Sequence, residues 1–308
     1  MLIDVAGLSH IGRKKAKNED SFGIFDTTHP GLQLFQQGML IAVADGLGGH
    51  VGGDIASKLA ISMMKDVLKE GPVPEEDRAS EREDAFYLSA IEGAMLRAND
   101  SIFQTNKDLV KGNLPMGTTL CTALLRPRLA YLGNVGDSRG YLFRNGAFAA
   151  KTEDHSWVDE QVKQGLMTQA AAEKDNRRNL VTRCIGTHET LEIDTYQWPL
   201  RPDDQVLICT DGLTNMLSDP DIAEILQRPL TAKEKVDILV DAANKKGGKD
   251  NITAILAWID PDPKALRALR TKSWLRKRES KIKTTVLLTV FGLFCFLAGY
   301  FACFFGTR

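Results

Sequence analysis

Residues 39–49 read MLIAVADGLGG, six apolar residues that run directly into an aspartate and then into glycines. A continuous apolar run of this length, bounded by glycine, predicts a strand buried on both faces rather than an amphipathic helix. Asp45 then lies at the end of a buried strand, where an ionised carboxylate is costly unless it is paired or bound to a metal. Residues 206–213 read VLICTDGL and repeat the pattern with Asp211. Two buried strands that each end in Asp-Gly predict two carboxylates that converge on one point.

Around these two stretches, the sequence predicts strands in adjacent groups and helices in separate blocks. Strand-like runs cover residues 2–8, 22–25, 118–125, 129–135, 140–144, 191–197, 205–210 and 251–258. Apolar residues recur at helical spacing over residues 55–68, 86–102 and 231–245, and residues 156–172 are mostly helical in pattern. This grouping favours two packed sheets flanked by helices over a strictly alternating parallel fold.

The C-terminal part of the chain has a different composition. Nine Lys or Arg residues lie between Lys264 and Lys283, against Glu279 alone, and the 22 residues from Thr284 to Phe305 carry no charge. In a helix of about 1.5 Å per residue they span roughly 33 Å, enough for a bilayer core of about 30 Å. A buried core helix is the alternative, but such helices rarely run so long without a polar face. We expect a main domain at 1–262, a basic juxtamembrane linker at 263–283 and a transmembrane helix at 284–305.

The cations beside the expected membrane span predict its orientation. Because Lys and Arg collect on the cytoplasmic side of a span, we expect a single-pass protein of the inner (cytoplasmic) membrane with its main domain in the cytoplasm. The basic linker can also lie on anionic lipid. The residues before Lys264 carry a net negative charge, which argues against nucleic acid as a partner and suits a protein that binds cations. The five cysteines include no C-x-x-C pair and read as small hydrophobes in a reducing compartment.

Further acidic residues lie where predicted strands begin or end. They are Glu19, Asp20, Asp137 and Asp250. Dispersed carboxylates without nearby His or Cys predict a site for hard, oxygen-preferring ions such as Mg²⁺ or Mn²⁺. Two such ions roughly 3.5–4 Å apart can activate a water molecule and clamp a phosphoryl oxygen. A single Asp-Gly is most often a turn, but turns alone do not account for the whole set.

Seven short segments occur in an order that resembles a known enzyme family. They are NEDS at 18–21, ADGLGGH at 44–50, GTT at 117–119, GDSRG at 136–140, DHS at 154–156, TDGL at 210–213 and GKDNIT at 248–253. The series resembles the metal-dependent serine/threonine phosphatases of the PPM (protein phosphatase 2C-like) type in their compact bacterial form. The resemblance covers about residues 5–259, and seven segments in register make it specific.

This resemblance implies an α+β fold, a four-layer α-β-β-α sandwich with a binuclear metal centre at one end of its sheets. It implies two Mn²⁺ or Mg²⁺ ions, with a weaker third. The metal ligands that it implies are Glu19, Asp20, Asp45, Gly46, Asp137, Asp211 and Asp250. Asp45 would bridge the two ions, and the Gly46 carbonyl would bind one of them. Asp211 and Asp250 would complete one site, and Asp20 and Glu19 would hold the other, partly through water. Asp137 would help to hold the third ion. Catalysis would depend on Asp45, Asp20, Asp211 and Asp250, through attack of a metal-activated water on phosphoserine or phosphothreonine in proteins.

The sequence departs from the family pattern at several positions. Lys15 stands where the family has an arginine that meets the substrate phosphate, with Arg13 nearby. Because lysine is a point charge rather than a bidentate fork, we expect phosphate binding to be weaker or shared by these two residues. Leu47 stands where animal relatives have a histidine, and Asn215 where some relatives have a second aspartate for the third ion.

Two histidines and one variable segment complete the candidates. His50 is expected to pack or to cap the following helix rather than to act as an acid. His155 lies at a predicted helix entry, where a cap by Ser156 is the favoured interpretation. Residues 165–179 match the family's variable flap beside the site and would touch substrates.

Three functions remain open from the sequence. The first is an active metal-dependent protein phosphatase at the cytoplasmic face of a membrane, with phosphorylated proteins and a cognate serine/threonine kinase as partners. The second is a membrane-tethered module that binds phosphoproteins without turnover, for which Lys15 is the best support. The third is a phosphohydrolase that acts on small phosphoesters.

Overall fold

The structure is a computed structural model that describes residues 1–26, 38–48, 52–70, 80–109, 115–172, 175–276 and 278. The chain divides into two compact units, Met1–Pro261 and Asp262–Arg308. His50 lies outside the described residues, as do Lys277 and most of the residues that follow it. The division into 1–262, 263–283 and 284–305 therefore stays a prediction.

The described part of the first unit contains twelve strands. They are β1 (Ile3–His10), β2 (Ser21–Phe25), β3 (Met39–Ala44), β4 (Gly46–Leu47), β5 (Gly117–Thr118), β6 (Leu120–Leu125), β7 (Leu129–Val135), β8 (Arg139–Arg144), β9 (Ala147–Lys151), β10 (Asp194–Pro199), β11 (Gln205–Cys209) and β12 (Ile252–Ile259). All of the pairings between them are antiparallel. One sheet has the order β1-β12-β11-β8-β9, a second has the order β10-β7-β6-β3-β2, and β4 pairs with β5.

Seven helices accompany these strands in the described part of the first unit. They are α1 (Gly53–Glu70), α2 (Ser80–Leu109), α3 (Trp157–Lys163), α4 (Gln169–Ala172), α5 (Asp211–Thr214), α6 (Asp219–Gln227) and α7 (Ala232–Lys245). Capping boxes begin α6 at Ser218 and α7 at Thr231, where each side chain accepts the N–H group of the residue three positions on. The helix starts are therefore encoded locally.

Three apolar clusters place the sheets between two layers of helices. In β3 all six residues are buried, and alternate side chains point to opposite faces. Leu40, Ala42 and Ala44 pack with apolar residues of α1 and α2. The alternate residues Met39, Ile41 and Val43 pack in a cluster shared by the two sheets. The third cluster joins the first sheet to α6 and α7. The result is the predicted order of helix, sheet, sheet and helix.

Most predicted elements are present, with differences at their edges. The strand predicted at 191–197 instead pairs over Asp194–Pro199, in register with β7. The helical block at 156–172 is two short helices, and both α6 and the strand β9 were not predicted. Asn145 and Gly146 form the turn between β8 and β9, and both have positive φ angles, 52° and 84°.

The described part of the second unit is helical over residues 263–276. The Asp262 carboxylate accepts the N–H groups of Lys264 and Ala265 and so caps this helix. Among the described residues, none of the helices is long and apolar enough to cross a membrane. The predicted span at 284–305 lies outside those residues.

Candidate metal centre and active site

Asp45 and Asp211 meet at one edge of the two packed sheets. Asp45 follows β3 directly, and Asp211 follows β11 after Thr210. The two strands face each other across the cluster between the sheets, where Ile41 and Val43 share a core with Ile208. The carboxyl groups of Asp45 and Asp211 lie close enough to interact, and each affects the pKa of the other. The predicted convergence of the two Asp-Gly strands is therefore present in the fold.

The glycine after each aspartate allows backbone segments to pack closely. A Cβ atom on Gly46 would overlap the backbone of Gly53 and approach the Glu19 carbonyl at 2.7 Å. A Cβ atom on Gly212 would overlap the carbonyl of Asn251. Only glycine therefore lets the Asp45 and Asp211 turns touch the segments that carry Glu19 and Asp250.

Asp20 is buried and is held at one of its two oxygens. Its Oδ2 accepts hydrogen bonds from Thr210 Oγ1 at 2.9 Å and Thr253 Oγ1 at 2.6 Å. Thr210 precedes Asp211, and Thr253 lies in β12 beyond Asp250, so the two hydroxyls tie Asp20 to both of these segments. The opposite oxygen, Oδ1, is buried without a hydrogen-bond partner among the described residues, as is Asp211 Oδ1.

Asn251 fixes the loop that carries Glu19. Its Oδ1 accepts the Glu19 N–H group at 2.7 Å, and its Nδ2 donates to the Ile11 and Lys17 carbonyls, each at 2.9 Å. Because Asn251 follows Asp250, one side chain orients the N-terminal loop against the last strand. Glu19 is thereby held beside the segment that carries Asp250, and Asp20 beside the segment that carries Asp211.

Asp137 joins the same cluster through the turn between β7 and β8. The charge of Asp211 raises the pKa of this buried carboxyl group, and the charge of Asp137 in turn raises the pKa of Asp45. The neighbouring Ser138 hydroxyl lies 2.7 Å from Thr119 Oγ1, which accepts the Asp45 N–H group at 3.0 Å. Asp137 is therefore linked to Asp45 by a short chain of buried hydrogen bonds.

Burial and mutual repulsion raise the pKa values of these carboxyl groups. Burial is the largest cause for each of Asp20, Asp45, Asp137 and Asp211. The charges of Asp211 and Asp250 add to it at Asp20, whose pKa rises to about 7 although two threonine hydroxyls lower it. The pKa of Asp45 rises well above its usual range, with the charges of Asp20, Asp211 and Asp137 as further causes. Carboxylates so crowded attract cations.

Lys15 contacts a predicted metal ligand directly. Its Nζ lies 2.7 Å from Asp250 Oδ1, and its side chain is 44% exposed. Partial burial lowers the pKa of Lys15, but the hydrogen bond and charge of Asp250 raise it on balance, together with Asp45 and Glu19. Arg13 lies in the same exposed loop, and its N–H group donates to the Gly248 carbonyl at 2.7 Å. Both cations predicted to bind phosphate lie in the loop that leads to the carboxylates.

Asn215 supports Asp211. Its Nδ2 donates to Asp211 Oδ2 at 2.9 Å, and its N–H group donates to the Asp211 carbonyl at 2.7 Å. In this chain the residue therefore orients one oxygen of Asp211, while Oδ1 is left for another ligand. Leu47 lies in the short strand β4 and pairs with Gly117.

The donor set fits a hard divalent cation. Within the described residues, no three His, Cys, Asp or Glu side chains stand close enough together to form a complete ligand set by themselves. Mg²⁺, however, is usually bound by one or two carboxylates and keeps several water molecules. Asp20 and Asp211 each have one buried carboxylate oxygen without a hydrogen-bond partner in the described residues, and these two oxygens are free to bind a cation. We conclude that the residues present fit Mg²⁺ or Mn²⁺.

A groove of about 800 Å³ opens beside the carboxylates. Asp137 and Asp211 line one part of it, and residues of α3, α4 and the following loop, including Arg178, line another. The variable segment predicted at 165–179 thus contributes to this groove in its described part. The groove is much larger than a phosphate group, so it has room for the chain that carries one.

Two sheets between helical layers, with a carboxylate cluster at one edge, are the architecture of the PPM phosphatases. The family model described as Protein phosphatase 2C matches residues 6–257. The serine/threonine phosphatase stp of Listeria innocua is 34% identical over 251 residues, which cover 80% of this chain and 91% of that protein. The chain therefore belongs to the protein phosphatase 2C family. It is a serine/threonine protein phosphatase.

Solved structures agree with this assignment. A serine/threonine phosphatase of S. agalactiae has a TM-score of 0.72 at 29% identity and covers 84% of this chain and 100% of its own. The catalytic domain of the phosphatase PstP, in complex with two manganese ions, has a TM-score of 0.67 at 30% identity. That match covers 83% of this chain and 97% of the PstP chain.

Sequence reasoning missed the residues that orient the carboxylates. They are Thr119, Thr210, Asn251 and Thr253. Each lies inside one of the seven quoted segments, either in a buried strand or directly next to one. A buried polar residue in or directly next to an apolar strand needs a hydrogen-bond partner, and that was the available signal.

Proposed function

We propose that this protein hydrolyses phosphoserine and phosphothreonine in proteins with two Mn²⁺ or Mg²⁺ ions and a weaker third, at the cytoplasmic face of a membrane. The observation that carries the proposal is the convergence of Asp20, Asp45 and Asp211, with two buried carboxylate oxygens left unpaired in the described residues. Several ionised carboxylates in one buried place are costly without a cation, so their presence supports a cation-dependent reaction.

Each residue has a stated part in this proposal. Asp20, Asp45, Asp211 and Asp250 would hold the two main ions, together with the Gly46 carbonyl and Glu19, and Asp137 would serve the third. Bound ions would lower the pKa of a water molecule and offset negative charge on the phosphoryl group. Lys15 and Arg13 would attract the substrate phosphate. Asn215 and Thr210 would keep Asp211 and Asp20 in their orientations.

The size of the groove supports a protein substrate rather than a small phosphoester. It runs from Asp137 and Asp211 past α3 and α4. Residues on either side of a phosphorylated serine or threonine can occupy this space. A phosphopeptide therefore has more contacts to gain here than a nucleotide has.

Membrane attachment is supported by sequence pattern alone. The uncharged segment at 284–305 and the cations before it fit a single span with the phosphatase domain in the cytoplasm of a bacterial inner membrane. Substrates would then include membrane-associated phosphoproteins, with a cognate serine/threonine kinase as a partner. Deletion of residues 264–308 should move the protein from the membrane fraction to the soluble fraction. Unchanged fractionation would contradict this part of the proposal.

The enzymatic part is tested with the 308-residue chain in detergent micelles and a phosphothreonine peptide. We expect phosphate release with Mn²⁺ or Mg²⁺, none with EDTA, and none from Asp45→Asn or Asp211→Asn. Asp241→Asn is the matched control, because this exposed carboxylate lies on α7 and forms an ion pair with Lys245 of the same helix. Full activity of both site variants would refute the proposal.

The same assay separates the two alternatives. A folded protein that binds Mn²⁺ and the phosphopeptide but never releases phosphate would favour the binding module. Faster hydrolysis of a nucleotide than of the phosphopeptide would favour the small-molecule phosphohydrolase.

A further inference from the structure

His155 holds the backbone next to Asp137 from two directions. Its N–H group donates to the Gly136 carbonyl at 3.0 Å, and its ring Nδ1 accepts the Gly136 N–H group at 3.1 Å. One residue therefore binds both polar backbone groups of the residue that precedes Asp137. The whole of His155 is 2% exposed, so water does not compete for these bonds.

The far side of the His155 ring is also fixed. Because Nδ1 accepts a hydrogen bond, the ring proton of the neutral form lies on Nε2. Nε2 lies 3.2 Å from Asp194 Oδ2, and Arg183 Nη1 lies 3.1 Å from Asp194 Oδ1. Both ring nitrogens are thus engaged inside the protein. This arrangement resembles the way in which second residues fix the orientation of metal-binding groups.

Gly136 needs such support. Its φ angle is +103°, a conformation that glycine adopts readily and other residues rarely do. A Cβ atom here would meet Thr119 Cγ2 at 2.5 Å. Glycine is therefore required in the turn, but it also leaves the turn with little stiffness of its own. The two bonds from His155 supply that stiffness immediately before Asp137.

The position of this turn affects the rest of the site. Ser138, on the other side of Asp137, contacts Thr119, and Thr119 accepts the Asp45 N–H group. Asp137 is thus held between His155 on one side and the Asp45 segment on the other. A shift of Gly136 would displace the Asp137 carboxylate before it disturbed Asp20 or Asp45, which have their own supports.

We infer that His155 is a positioning residue that sets the Asp137 carboxylate for the most weakly bound ion. The inference rests on the proposed metal-dependent function. His155 does not act as a proton donor to the substrate, because both of its ring nitrogens are bound within the fold. Its effect passes through Gly136, and it concerns the affinity of one ion rather than the chemistry.

Three substitutions separate this role from general support of the fold. His155→Asn keeps an acceptor near the Nδ1 position and so retains the bond from Gly136. His155→Gln places its amide nearer the Nε2 position and retains a partner for Asp194. His155→Leu removes both. Tyr196→Phe is the control for the Asp194 side of the ring. It removes a hydroxyl that donates to Asp194 Oδ2 at 3.4 Å and accepts the Glu153 N–H group at 3.0 Å, and it leaves both hydrogen bonds between His155 and Gly136 in place.

The measurement is Mn²⁺ binding to the 308-residue chain in detergent micelles, followed by the free-ion EPR signal, with thermal unfolding to verify folding. We expect His155→Gln and His155→Leu to lower the affinity for the most weakly bound ion by about tenfold or more. The affinities for the more tightly bound ions should not change. His155→Asn and Tyr196→Phe should keep this affinity within about threefold of wild type.

Two results would overturn the inference. One is equal affinity for the last ion in wild type and in His155→Gln. The other is equal loss in His155→Asn and His155→Gln, which would show a structural role only. If His155→Leu does not fold, the comparison of His155→Asn with His155→Gln still tests the inference. A wild-type protein that binds no Mn²⁺ would refute the proposed function, whereas wild-type binding with indifferent variants would refute this inference alone.

Discussion

Replacement of Asp20 by asparagine should make the metal-free protein more stable while it removes metal binding. Asp20 is buried, its Oδ2 accepts two threonine hydroxyls, and its Oδ1 has no hydrogen-bond partner in the described structure. Asparagine retains an oxygen for Thr210 and Thr253 but carries no charge. The substitution therefore removes the unfavourable charge and keeps most of the local geometry.

The magnitude follows from the pKa of Asp20. Burial is the main reason that this pKa rises from 3.8 to about 7. A shift of about three units corresponds to an upper limit of about 4 kcal/mol, at about 1.4 kcal/mol per unit. Since the pKa in the folded protein exceeds that in the unfolded chain, the folded protein keeps a proton that the unfolded chain loses between about pH 4 and pH 7. Stability therefore falls as the pH rises through this range, and the full penalty persists above it.

The assay is urea unfolding of the chain in EDTA at pH 4.5 and pH 8, for wild type, Asp20→Asn and the control Asp241→Asn. We expect Asp20→Asn to exceed wild type by about 2–4 kcal/mol at pH 8 and by much less at pH 4.5. Asp241→Asn, at an exposed position of α7, should change stability by less than about 0.5 kcal/mol. When EDTA is replaced by Mn²⁺ at about 100 times its Kd, the free energy of unfolding should rise by about 2.7 kcal/mol for wild type and by little for Asp20→Asn.

A destabilised Asp20→Asn protein in EDTA at pH 8 would refute this reasoning. It would mean that the hydrogen bonds from the threonines outweigh the buried charge. An equal gain at both pH values would also refute it, because the effect would then be unrelated to ionisation.

Three further predictions concern other parts of the molecule. Burial lowers the pKa of Lys235 to about 8, so the cost of burying its charge destabilises the fold below pH 8 and disappears towards pH 10.5. In urea unfolding, the stability of wild type relative to Lys235→Met should therefore rise by about 2–3 kcal/mol between pH 7 and pH 10. Lys15→Ala should raise KM for a phosphopeptide several-fold and Lys15→Arg should restore it, because a cation meets the phosphate; unchanged KM in Lys15→Ala contradicts this. Ser218→Ala should cost about 1 kcal/mol, since it removes the cap of α6, and an unchanged urea midpoint contradicts this.

The strands that are buried on both faces were the elements most readily predicted from the sequence. Strands β3 and β11 are continuous apolar runs because one face meets the helices and the other meets the opposite sheet. Such runs have no amphipathic alternative. The aspartates at their ends were found for the same reason, since a charged residue after a fully buried strand stands out.

Edges and short elements were harder to predict because tertiary pairing decides them. The strand at Asp194–Pro199 takes its limits from β7, with Asp194 opposite Asn134 and Pro199 opposite Leu129. The helix α6 is only nine residues long and has proline near its start, so periodicity alone gave a weak signal. Its capping box was the better evidence.

The supports of the site could not be predicted from local sequence. The bonds from Thr210 and Thr253 to Asp20 join residues that are 190 and 233 positions apart. Lys15 and Asp250 are likewise distant in the chain and adjacent in the fold. Sequence patterns name the residue types at such a site, whereas the partners depend on how the two sheets pack. The Ser156 cap predicted at the entry of α3 is confirmed, because it depends on neighbours in the chain.

The central claim is that the carboxylates around Asp45 form the metal centre of this phosphatase. The most direct measurement is anomalous diffraction from crystals of the protein grown with Mn²⁺, beside crystals of Asp211→Asn. We expect manganese peaks among Asp20, Asp45 and Asp211 in the wild type and a lost or weakened peak at residue 211 in the variant. Manganese bound elsewhere, or no peak in a protein that still hydrolyses the phosphopeptide, would contradict the account.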